Sequence, residues 1–149
     1  MSPARIIESA LIIYPAIYLG IIIGLYELIL IHRDVNFRGS HWLSHGLHAI
    51  GWIVVALFVT MNTEYVYNTF TFLQNIPYIQ NVLVFRILVG LITLIKIHGV
   101  SAVSRSVSGG MRGFKETWWH SLIVAGLVVA MPYFWPFLEP VIKGRLPGL

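Results

Sequence analysis

The class of fold is decided by residues 9–31, SALIIYPAIYLGIIIGLYELILI. This apolar run holds a single charged side chain, Glu27, and is long enough to cross the roughly 30 Å hydrocarbon core of a bilayer as a helix. It is too long for the apolar region of a signal peptide. We therefore interpret it as a membrane span.

Three further apolar runs follow, at residues 42–62, 81–100 and 117–138. Hydrophobic residues make up 57% of the chain and charged residues 11%, and the mean hydropathy is +0.78, so lipid is the expected solvent. The sequence predicts an all-α, multi-pass protein, a four-transmembrane-helix bundle in one domain over residues 1–149. Residues 64–80 alternate aromatic and polar side chains, which is typical of a segment in the headgroup layer between helices 2 and 3.

The distribution of basic residues predicts the orientation. Six basic residues lie on the side of the first and third connections and four on the other side: Arg33, Arg38, Lys96, Arg105, Arg112 and Lys115 against Arg5, Arg86, Lys143 and Arg145. Because basic loops favour the cytoplasm, we expect both termini outside a prokaryotic cell membrane. Residues 101–116, rich in Ser and Gly, are expected to form a flexible basic loop.

A stripe of small residues marks the packing face of the first span. Ala16, Gly20 and Gly24 recur every fourth residue, a spacing that lets another helix approach closely. Glu27 falls on the same face, away from lipid. Lys96 of the third span is its expected partner, because a paired charge costs far less in lipid than an isolated one.

The third span has its own polar stripe. Arg86, Gly90, Thr93 and Lys96 lie within about a third of the helix circumference. One interpretation is an ion or proton path that includes Glu27. The alternative is that Arg86 and Lys96 extend to opposite interfaces while Glu27 is hydrogen-bonded to a neighbour.

The histidines form the candidate metal site. His41, His45 and His48 follow one ridge of a helix, and His98 and His120 are expected at the same membrane level. They could bind Cu, Fe or Zn, with Glu27 or Asp34 as an oxygen ligand, or one could ligate haem iron. Other interpretations are a proton relay, or interfacial histidines beside tryptophans that are hydrogen-bonded to headgroups, backbone or subunit partners. The chain has no cysteine, so a thiolate site is excluded.

No phosphate loop, nucleophile elbow, dinucleotide motif or acid–base carboxylate pair occurs, so the chain is not expected to be catalytic by itself. The leading hypothesis is a structural or accessory subunit of a larger membrane complex, in contact with lipid, with other membrane subunits or with its own copies, and not with nucleic acid. The alternatives are a histidine-based metal or haem redox subunit of a respiratory or oxygenase-type complex, and an oligomeric ion or proton channel.

Overall fold

The computed structural model describes residues 11–33, 42–106 and 117–145, with side chains over 11–30, 46–98 and 118–144. These residues form five α-helices and one short 3₁₀ helix, and they contain no strand. The elements are α1 (Ile13–Arg33), α2 (Trp42–Met61), α3 (Thr63–Thr69), a 3₁₀ helix (Thr71–Asn75), α4 (Val82–Ser106) and α5 (Thr117–Arg145). The prediction of an all-α protein is confirmed for this part of the chain.

Two helices are long and apolar enough to cross a membrane, over Ile13–Leu30 of α1 and Trp118–Gly144 of α5. Gly46–Met61 and Thr63–Thr69 pass the same test only together, and an 87° bend separates them. The described residues thus support two spans, or three if the bent pair is one span. This agrees with a membrane protein, while four crossings remain a prediction.

Two helices run further than the apolar runs predict. α4 continues to Ser106, so the prediction of a loop from residue 101 is wrong for residues 101–106, which contain neither Gly nor Pro. α5 continues past Leu138 to Arg145 with Pro132, Pro136 and Pro140 inside it. A proline removes one backbone hydrogen bond, and a membrane helix tolerates it when a neighbour satisfies the freed carbonyl.

α1 and α2 pack antiparallel at close range. A Cβ atom added to Gly20 would lie 2.7 Å from Val54 Cα, and one added to Gly24 would lie 2.8 Å from Ile50 Cα. Both pairs are one helical turn apart on each helix, so the two backbones run side by side. Ala16, one turn earlier on α1, is fully buried. The stripe of small residues is therefore the surface on which α2 lies.

α2 and α5 each contact all three of the other long helices. The largest fully buried apolar side chains come from α2 and α5: Ile53, Leu57, Val124 and Val128. α4 and α5 approach each other at Gly90, where an added Cβ would lie 2.5 Å from Val129 Cγ2. The Arg86 side chain of α4 also contacts both α2, at Thr60, and α5, at Tyr133.

Candidate functional site

The most highly organised polar cluster lies where α2 ends against α4 and α5. The Thr60 hydroxyl, fully buried, shares its hydrogen between the carbonyl oxygens of Leu57 at 3.2 Å and Val128 at 3.1 Å. Val128 is four residues before Pro132, which has no N–H to donate to that carbonyl. A side chain of α2 therefore replaces the backbone donor that Pro132 removes from α5.

Arg86 completes this cluster from α4. Its Nε donates to the Thr60 carbonyl oxygen at 3.1 Å, and the Thr63 hydroxyl donates to the same oxygen at 2.9 Å. Helix C-termini carry partial negative charge, so the guanidinium is stabilised at the end of α2. Its Cζ also lies 4.8 Å from the centroid of the Tyr133 ring, within the range of a cation–π contact.

Thr93, another member of the predicted polar stripe, takes no part in this cluster. Thr93 is fully buried, and its hydroxyl donates to Val89 O at 2.8 Å within its own helix. Such a back-bond satisfies the hydroxyl without any partner on another helix. The stripe on α4 is thus divided into separate local contacts.

Asn62 holds the start of α1 to the end of α2. Its Oδ1 accepts from Ile12 N at 2.7 Å, and its Nδ2 donates to Ile12 O at 3.2 Å and to Phe58 O at 2.9 Å. Neither Asn62 nor Thr60 was predicted from the sequence as a functional or packing residue. The only available signal was a polar side chain at the end of an apolar run, which does not specify a partner.

Glu27 and Lys96 do not form an ion pair in this structure. Glu27 is 2% exposed, and its Oε2 has no hydrogen-bond partner among the described residues. The Lys96 side chain is exposed, with Nζ 5.4 Å from the centroid of the Trp52 ring. Within the described side chains, the only ion pair joins Lys143 Nζ to Glu139 Oε1 at 2.7 Å. Lys96 is therefore stabilised by an aromatic ring on α2, and Glu27 is buried apart from it.

The candidate metal ligands occupy different environments. His98 is buried and stacks on Trp118 with ring centroids 3.9 Å apart, whereas His48 is exposed on α2. His120 has a buried Nδ1 without a hydrogen-bond partner in the described part of the chain. His41 and Asp34 lie outside the described residues, and so does the side chain of His45.

No group of three or more His, Asp or Glu side chains suited to a metal ion occurs among the described residues. His48, His98 and His120 therefore do not form a metal centre with one another. The complete five-histidine site stays a prediction, because two of its members are not described.

These sites offer two kinds of chemistry. A guanidinium fixed at a helix end can bind an anion, and a buried carboxylate can take up a proton or a cation. No protein-family model, curated protein or solved structure matches this chain.

Proposed function

We propose that this chain is a structural or accessory subunit of a larger membrane complex. The supporting observation is that the helices pack around a buried interior and leave rows of apolar side chains exposed on the outside. α1 presents Ile17, Ile21 and Leu25 outward, and α4 presents a longer row at the same helical spacing: Leu83, Ile87, Leu91 and Ile95. Such rows bind lipid tails or the helices of partner subunits.

A four-span arrangement belongs to this proposal. α4 packs against α5, which is itself long and apolar enough to cross. The two cations in residues 82–98 of α4 are both engaged by neighbouring helices, Arg86 at the end of α2 and Lys96 on Trp52. Because such contacts and the length of these side chains lower the cost of charge in lipid, α4 can cross beside α5.

Photo-crosslinking in native membranes tests the subunit assignment. A photoreactive residue at Ile21 or Ile95 probes the outer rows, and one at the fully buried Leu57 is the matched control. We expect discrete crosslinks to other membrane chains, or to a second copy, from the outer positions and none from Leu57. Crosslinks to lipid alone from both outer rows would contradict the assignment.

The orientation is a further part of the proposal, with both termini outside the cell. Since the chain has no cysteine, single-cysteine variants report topology without background. Tyr78 and His48 are exposed residues near opposite ends of the helices. A membrane-impermeant maleimide should label Tyr78→Cys in intact cells and His48→Cys only after permeabilisation. The reverse pattern would invert the orientation.

An ion or proton path is the second candidate, favoured by Glu27. Its carboxylate is buried within a candidate span, where an ionisable group is expensive unless it has a function. Glu27→Gln should abolish proton or cation flux into liposomes, while Glu64→Gln, at an exposed glutamate, should leave the flux unchanged. Equal flux in both variants and the wild type would exclude Glu27 from the path.

A histidine-ligated metal or haem is the remaining candidate. Elemental analysis and an absorption spectrum of the purified protein test it directly. Stoichiometric Cu, Fe or Zn, or a Soret band, that is lost in a His45→Ala and His48→Ala double variant would support it. The absence of any metal and of any Soret band in the wild type would reject it.

A further inference from the structure

The Arg86 guanidinium is only partly used by the described residues around it. Nε is bonded to Thr60 O, but neither terminal amino group makes a hydrogen bond to a described residue. No described carboxylate forms an ion pair with it; Glu64 on the adjacent α3 is exposed and unpaired. The charge therefore has donors left for a ligand that carries negative oxygens.

The plane of this guanidinium is held in place. The Nε bond fixes one edge, and the Tyr133 ring, 4.8 Å from Cζ to its centroid, supports one side. A planar guanidinium held in one orientation can donate two parallel hydrogen bonds to the oxygens of a phosphate, which a flexible ammonium group cannot do. Arg86 is half-buried, so the site is open on one side.

The surroundings favour a ligand that has both a phosphate and an apolar part. Residues 65–85, which lead into α4, carry no charged side chain. Exposed apolar side chains lie within about one helical turn of Arg86 and of Tyr133: Leu83 and Ile87 on α4, and Phe134 and Phe137 on α5. A free phosphate would leave these side chains uncovered, whereas acyl chains would cover them.

We propose that Arg86 and Tyr133 form a binding site for the phosphate of a membrane phospholipid, whose acyl chains lie along Leu83, Ile87 and Phe134. The guanidinium binds the phosphate oxygens, and the Thr60 carbonyl holds it at the end of α2. This site requires no partner protein, although it shares Leu83 and Ile87 with the outer row of α4 described above.

Native mass spectrometry of the full-length protein in detergent tests the site. The probes are phosphatidylglycerol, diacylglycerol with the same acyl chains, and inorganic phosphate. We expect the wild type to retain phosphatidylglycerol, and Arg86→Gln to lower its apparent affinity by about tenfold or more. Lys96→Gln is the matched control, because it removes another cation of α4 that lies away from Tyr133, and it should bind phosphatidylglycerol like the wild type.

If Arg86→Gln fails to fold, the binding of the three probes to the wild-type protein still tests the proposal. Equal retention of diacylglycerol and phosphatidylglycerol would overturn it, because the phosphate would then not be recognised. Displacement of the lipid by inorganic phosphate, with phosphate bound in its place, would assign the site to a free anion and overturn the lipid assignment. Tyr133→Leu, which leaves the Arg86 bond to Thr60 intact, should weaken phosphatidylglycerol binding; unchanged binding would remove the ring from the site.

Discussion

The Thr60 hydroxyl of α2 donates to Val128 O, the carbonyl of α5 that Pro132 leaves without a backbone donor. Thr60→Val keeps the shape of the side chain but leaves that buried oxygen unsatisfied. We expect it to lower the free energy of unfolding by about 1–3 kcal/mol, measured in detergent by denaturant titration. Thr60→Ser retains the hydroxyl and should stay close to the wild type.

A double-mutant cycle isolates the role of the proline. Pro132→Ala supplies a backbone N–H to Val128 O, so Thr60→Val should cost less in that background than in the wild type. An equal cost in both backgrounds would show that Pro132 is not the reason for the contact.

Glycine substitutions test the α1–α2 contact. Gly20→Ala and Gly24→Ala place a Cβ within 2.8 Å of an α2 backbone atom, so the two helices must separate. We expect each to cost about 1–3 kcal/mol of unfolding free energy. Gly46→Ala meets only the side chain of Leu28 and no backbone atom, so it should cost less.

Gly51→Ala is the matched control for these glycines. An added Cβ there meets nothing within 4 Å, so the substitution should be neutral or slightly stabilising. A loss at Gly51 equal to the loss at Gly20 would attribute the effect to glycine itself and not to the close approach of α2.

Asn62→Leu should release the first residues of α1. The change removes both hydrogen bonds to Ile12 and the one to Phe58 O. Hydrogen–deuterium exchange should therefore rise at the amide of Ile12, and the unfolding free energy should fall by about 1–3 kcal/mol. Asn68→Leu, at an exposed asparagine of α3, is the control and should leave exchange at Ile12 unchanged.

Tyr78 adopts a backbone conformation that glycine prefers, with φ at 71°. It follows Pro77 in a turn closed by a hydrogen bond from Ile79 N to Ile76 O at 3.3 Å, the arrangement of a type II turn. Tyr78→Gly should raise the unfolding free energy by about 1 kcal/mol, because the left-handed conformation costs roughly 1–2 kcal/mol for other residues. Tyr78→Val should lower it; the opposite order would mean that the side chain compensates for the strain.

Some of these features follow from residue periodicity within one helix. The spacing of Ala16, Gly20 and Gly24 placed them on one face, and that face is buried against α2 in the structure. Helical spacing also placed Glu27 away from lipid, and it is 2% exposed. Such inferences require only the geometry of a single helix.

Contacts between helices could not be predicted in the same way. Periodicity does not tell how far α4 is rotated about its axis, and in this structure Lys96 lies over Trp52 and not beside Glu27. The bond between Thr60 and Val128 O depends on which α2 residue reaches the level of Pro132. Both depend on the relative placement of whole helices, which one sequence does not contain.

The α1–α2 register has a consequence for biosynthesis. The contacts Ile12–Asn62, Gly20–Val54, Gly24–Ile50 and Leu28–Gly46 all lie within the first 62 residues. These two helices can therefore pair as a hairpin before α4 has left the ribosome, since every partner in the set precedes α4 in the chain. Such a hairpin gives the later helices a preformed packing surface. The order of synthesis and the order of assembly then coincide.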